Sequence, residues 1–142
     1  MGLNVFSVNW ENCNSSSGIS GNTTIVSKAD ADDANKMPAF GVASSTVALN
    51  ASVDIVTFGT LHGVDTSTPS FALGEELYVS TTAGALTNSA PTGSSSLIQK
   101  IGKVTRVDAS AGSIKVMGAG RTNATPNLDE GRLFIGNSSN QS

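Results

Sequence analysis

Residues 71–107, FALGEELYVSTTAGALTNSAPTGSSSLIQKIGKVTRV, decide the fold. Leu77 and Val79 alternate with Tyr78 and Ser80, the period of a half-buried strand, and Gly74 and Gly84 supply the turns that bound it. The Gly/Ser/Thr/Pro connection that follows holds no reactive constellation. Beyond it, Ile98, Ile101, Val104 and Val107 keep one apolar register only if the chain bends or bulges near Gly102, a residue that tolerates such geometry. The stretch predicts a β-module that acts as a scaffold.

Working outward, Thr105 to Val107 and Ser113 to Met117 flank Asp108 to Gly112, five residues that fit a hairpin loop ending in glycine. Toward the N-terminus, LNVFSVNW (3–10) places Phe6, Val8 and Trp10 on one face of a first strand, and TTIVSK (23–28) reads as a second. ADADDANK (29–36) fits one helical turn or a structured loop, and Pro38 makes Met37 extended before AFGVA. TVALNASVDIVTF (46–58) reads as two β runs, with Val53 and Ile55 on one face and Val56 and Phe58 on the other. A strand apolar on both faces is buried on both or shared with a partner chain. Residues 118–142 are mostly Gly, Asn, Thr and Pro, with one apolar cluster at Leu133, Phe134 and Ile135. That is too little to fold alone, so the tail should lie across its own domain or a neighbouring subunit.

The expected fold is all-β: a small antiparallel barrel or sandwich over residues 1–120, followed by an extended Gly/Asn-rich C-terminal arm at 121–142. Composition agrees, since 142 residues suffice for one modest core and charged residues make up only 13% of the chain. Ser and Thr together account for about a quarter, so surface polarity rests on hydroxyls, as in extracellular or virion β proteins.

Charge and patterning exclude several function classes. A net charge of −3 with dispersed cations argues against nucleic-acid binding. Lys100, Lys103 and Arg106 form the nearest approach to a basic patch, and on a regular strand they would fall on both faces. No apolar run reaches the length that spans a membrane, and the opening residues lack the layout of a secretory signal. Cys13 is the single cysteine, so neither an intrachain disulfide nor a cysteine zinc cluster is available.

Tests for catalysis fail in turn. His62, the single histidine, reads as a loop residue beside Asp65, with no nucleophile elbow to complete a triad. Asp30, Asp32, Asp33 and Asn35 suggest calcium but lack the glycine and glutamate positions of an EF-hand loop. Glu75 and Glu76 would face opposite sides of a strand, and Gly118-Ala-Gly120 misses the dinucleotide fingerprint. No enzyme, metal or cofactor is expected.

Three pieces in order resemble a β-module found in virion proteins of tailed phages. They are ADADDANKMPAFGVA (29–43), GTLHGVDTS (59–67) and the stretch from GEELYVS (74–80) to QKIGKV (99–104). The ending, GAGR (118–121), PNL (126–128) and GRLFIGN (131–137), is similar to the passage into the next fibre segment, so the likeness runs from about residue 25 to 137. Tail-fibre proteins of marine and cyanobacterial phages carry this module, and capsid-decoration (cement) proteins carry small β-folds of the same kind. The resemblance implies a trimeric virion structural protein working by packing, with itself and other virion proteins as partners.

The small core, the two-faced run and the coreless tail favour an oligomer independently. The expected subunit interface is Val53, Ile55, Val56, Phe58, Leu133, Phe134 and Ile135. The rival class is a carbohydrate- or receptor-binding module using Trp10, Tyr78 or His62 against a host-surface glycan; a bacterial surface-filament subunit shares the composition.

Overall fold

The computed structural model describes residues 5–7, 19–20, 23–24, 26–46, 48, 51–68, 70–117, 125–126 and 130–133. Five strands form the main sheet in the order β7 (Gly59–Val64), β12 (Gly112–Val116), β11 (Lys100–Arg106), β8 (Glu76–Val79) and β9 (Leu86–Thr87), antiparallel throughout. A second antiparallel sheet has the order β4 (Ser27–Lys28), β1 (Val5–Ser7), β5 (Ala39–Ala43), β6 (Ile55–Val56). Two ribbons complete the fold: β2 (Ile19–Ser20) with β3 (Thr23–Thr24), and β10 (Leu97–Ile98) with β13 (Thr125–Pro126). The architecture is all-β and sandwich-like, and the barrel is not closed.

Strand alternation builds the core. Leu77 and Val79 of β8, Ile114 and Val116 of β12, and Leu61 and Val64 of β7 are buried with Ile101 and Val104 of β11. Ala39 and Val42 of β5 join the same cluster, so the two sheets share one interior. Each fully buried Leu or Ile contributes about 1.5–3 kcal/mol by leaving water. Ile101 and Val104, three residues apart, both point inward because β11 shifts register against β8 between Lys100 and Gly102. This is the bulge that the apolar spacing requires. A second shift, against β12 between Val104 and Arg106, takes Val107 off the core, and it is exposed instead of continuing the register.

The segment ADADD runs between β8 and β10 and turns at Asp30–Asp33, where the Asp33 N–H donates to the Asp30 carbonyl at 3.2 Å. Ala29 and Ala31 are fully buried, while the Asp30 and Asp32 side chains face outward. Ala31 donates its N–H to the Ser80 carbonyl at 3.0 Å and accepts from the Leu97 N–H at 2.8 Å. Only a small side chain fits between backbones held this closely. A single 3-10 turn, Ala34–Lys36, follows, capped by the Asp33 carboxylate accepting from the Asn35 N–H at 3.0 Å. The expected helical turn is therefore one turn at the end of this segment, and Met37 after it is extended as Pro38 requires.

Two side chains tie distant parts together. Gln99, buried, receives the Ala39 N–H on Oε1 at 2.6 Å and donates through Nε2 to the Ala39 carbonyl at 3.0 Å, bridging the sheets as a strand partner would. Thr66, fully buried, donates its hydroxyl to the Arg106 carbonyl at 2.9 Å and accepts from the Asp108 N–H at 3.0 Å, pinning the β11–β12 loop.

Several expectations need correction. TTIVSK is two short strands in different pairings, β3 against β2 and β4 against β1. Of LNVFSVNW, Val5–Ser7 is a strand, while Val8 and Trp10 lie outside the described residues. The run 46–58 contributes only β6 to a sheet among its described residues. His62 lies within β7 and is exposed rather than in a loop. Thr125–Pro126 of the expected arm pairs with β10, one of the two placements expected for that segment.

Candidate functional site

The outer face of the five-stranded sheet carries the densest arrangement of polar groups. Tyr78 stands opposite Lys100, and Glu76 opposite Lys103. Tyr78 and Glu76 are two apart on β8, so both lysines share one face. The bulge between Lys100 and Gly102 brings them together, which overturns the expectation that they fall on both faces. Lys103 also stands directly opposite Lys115 of β12, which stands opposite Thr60 of β7. Beyond the lysines the hydroxyls of Thr105 and Ser113 bond at 2.8 Å. Arg106, largely exposed, lies 3.7 Å from the Asp108 carboxylate.

Glu76 is the anionic centre of this face. It bonds the Lys100 ammonium and accepts from the Tyr78 hydroxyl at 3.0 Å. Lys100 first, then Tyr78, holds the Glu76 carboxyl below its usual pKa, and the same bond to Glu76 raises the Tyr78 phenol. Both ends of the Lys100–Glu76 pair are open to water, so it orients side chains more than it stabilises the fold. At the end of the face the Lys115 ammonium sits 5.2 Å from the centre of the Phe58 ring.

The expected interface residues divide into three groups. Val53, Ile55 and Val56 are half-buried, with Ile55 and Val56 paired to Ala43 and Val42 of β5. Phe58 is 75% exposed and Leu133 80% exposed, large apolar side chains left in water. Phe134 and Ile135 lie outside the described residues. The run 53–58 is thus not a strand buried on both faces. It is a two-residue edge strand leading to an exposed phenylalanine. Met117, 53% exposed and two residues beyond Lys115, continues the outer face. Sequence reading singled out Lys100 and Lys103 but missed Lys115 and Met117, because the register shift between Val104 and Arg106 hides their alignment.

The residues tested for catalysis are dispersed. Glu75 accepts from the Ala72 N–H at 2.7 Å and from Asn88 at 3.0 Å, both holding a turn. Asp30 and Asp33 lie 4.0 and 3.1 Å from Lys36, and Asp32 accepts from the Ser96 hydroxyl at 2.5 Å. Among the described residues no group of three or more His, Cys, Asp or Glu side chains is placed to hold a metal ion. No helix among them is long and apolar enough to cross a membrane. Trp10 and Cys13 lie outside the described residues.

Asp65 closes the turn after β7. The Thr68 hydroxyl, the Thr68 N–H and the Ser67 N–H all donate to it, the Thr68 hydroxyl contributing most, and its pKa falls from 3.8 to about 2. Asp33, held chiefly by Lys36, and Asp108, held chiefly by the Ser110 N–H, are lowered too. Groups depressed in the folded state add stability above their unfolded pKa and lose it as pH falls through the folded value. The thermal midpoint should therefore stay level from neutral pH to about pH 5 and fall between about pH 4 and 2. Asp65→Asn should flatten part of that fall. A midpoint that stayed level down to pH 2 would show that these carboxylates do not hold the turns.

These features define an all-β protein with turn-holding carboxylates, tied sheets and exposed apolar and cationic side chains. The chain belongs to the phage cement protein family, whose model matches residues 12–119 of its 142. It is accordingly a virion structural component of the capsid-decoration kind. No curated protein and no solved structure is a match for the chain.

Proposed function

We propose that the chain decorates the phage head as a homotrimer, adding to the shell by packing and catalysing no reaction. Family membership favours the head over a tail fibre. The observation that carries self-association is the exposure of Phe58 and Leu133, two large apolar members of the expected interface, whose Val53, Ile55 and Val56 are half-buried. Large apolar side chains left in water are stabilised by covering them, and a closed symmetric assembly of a small module does so. Residues 121–142, with Leu133, Phe134 and Ile135, act here as a clasp between subunits over a module of residues 1–120.

Light scattering on the full chain tests this. The expected mass is three times the 14.3 kDa of one chain, and Phe58→Ser should shift it toward the monomer. A clean monomer at micromolar concentration would refute the assembly. Binding of the wild type to host-surface glycan, with none to phage shells, would favour the receptor-binding class.

A further inference from the structure

We propose that the outer face of the five-stranded sheet, carried by Lys100, Lys103 and Lys115, docks on a carboxylate-rich protein surface of the capsid shell. The inference rests on the decoration reading and gives it a face and a charge. Register is what carries it. Lys103 and Lys115 are directly opposed on neighbouring antiparallel strands, an arrangement in which like charges destabilise the sheet. The carboxylate among them, Glu76, already bonds Lys100 and Tyr78. Three ammonium groups thus meet one carboxylate in a chain of net charge −3, and this face opposes the sign of the whole. Glu76, opposite Lys103 and bonded to Lys100, offsets part of this repulsion, and an acidic partner relieves the rest on contact.

The chemistry of the neighbours selects the occupant. Met117 and Tyr78 set apolar surface among the lysines, whose own alkyl stems add more. Aromatic and methionine side chains are enriched at the core of protein–protein contacts, and charges at the rim steer a partner of opposite sign. Single-stranded nucleic acid requires free ring faces for stacking. Here Lys115 sits against one face of the Phe58 ring, and a chain of net charge −3 repels the phosphates that stacking alone would not hold. Phe58 remains with the subunit contact, and Lys115 marks the border between the two surfaces.

The test measures binding of the full-length protein to shells of its phage stripped of decoration, at about 0.05 M and about 0.5 M salt. Wild-type affinity should fall about tenfold or more at the higher salt. At the lower salt Lys103→Glu should bind about tenfold more weakly or worse, with Lys103→Gln, which keeps the stem, in between. Lys28→Glu makes the same charge change on β4 of the other sheet and should stay within about twofold of wild type. Equal losses from Lys28→Glu and Lys103→Glu, or unchanged binding by Lys103→Glu and Lys103→Gln, would overturn the face assignment and leave the decoration reading standing. Binding to double-stranded DNA as tight as to shells would overturn the choice of partner. Failure of the wild type to bind shells at either salt would remove the decoration reading itself.

Discussion

Replacing Gln99 by leucine should destabilise the protein by about 2–5 kcal/mol, although leucine is close in size and apolar in an apolar place. The reason lies in Ala39. Its N–H and carbonyl are fully buried in the shared interior of the two sheets, and the Gln99 carboxamide meets both, at 2.6 and 3.0 Å. Leucine would leave a donor and an acceptor with no partner, and each orphaned group costs about 1–3 kcal/mol. Against the roughly 5–15 kcal/mol of a typical domain this is a large fraction. Gln99→Glu should fare no better, since it loses the donor and brings a charge into the interior. Denaturant melts of the three proteins decide the matter. A midpoint for Gln99→Leu equal to or above wild type would mean that water reaches Ala39 and that the sheets are not tied at this point. Because β5 carries β6, and β6 leads to Phe58, loosening the tie should also disturb self-association.

The strand at residues 76–79 and the hairpin across Asp108–Gly112 were legible because their signals are local: a period of two, bounded by glycines. Gly74 and Gly84 do turn the chain, with φ of +80° and +81°. The need for a bulge near Gly102 was legible as well, since no regular strand can turn both Ile101 and Val104 inward. What the bulge does to the lysines was not. Register has a period of two, so one extra residue reverses every side chain beyond it. Counting by threes from Lys100 put Lys103 on the wrong face, and the second shift, near Thr105, hid the opposition of Lys103 and Lys115. The segment ADADDANK reads as one helical turn or a structured loop, and it holds a turn over Asp30–Asp33 and the 3-10 turn Ala34–Lys36. Nothing local arbitrates between those readings. The contacts that place Ala31, with Ser80 and Leu97, come from more than forty residues away along the chain. His62 looked like a loop residue because glycines stand near it, but Gly63, at φ +72°, serves as an irregularity inside β7. As for the candidate site, Phe58 could be singled out from sequence only as part of a run apolar on both faces, whereas its exposure and the cationic face are products of tertiary register.

Gly102→Ala should be among the most damaging single-methyl changes, costing about 3 kcal/mol or more. Gly102 lies where β11 bulges in the middle of the five-stranded sheet, opposite Val116 on one side and Leu77 on the other. A Cβ placed there would come within 2.3 Å of the Lys115 carbonyl oxygen and 3.4 Å of the Val116 Cα. Both neighbours are backbone, so no rotamer can move aside. The strands must separate, breaking ladder bonds between β11 and β12 and opening the core over Ile101 and Ile114. Gly74→Ala is the informative contrast. Open space surrounds that site apart from the end of the Lys103 side chain at 3.9 Å, and the strain is only that of φ +80°, about 1–2 kcal/mol. Equilibrium denaturation should therefore rank Gly102→Ala well below Gly74→Ala, with wild type highest. Hydrogen exchange should accelerate in β11 and β12 of the Gly102 variant while β8 and β9 change less. If the two variants proved equally stable, the close approach of Gly102 to Lys115 would not be what fixes the bulge, and the common face of Lys100, Lys103 and Lys115 would need another cause.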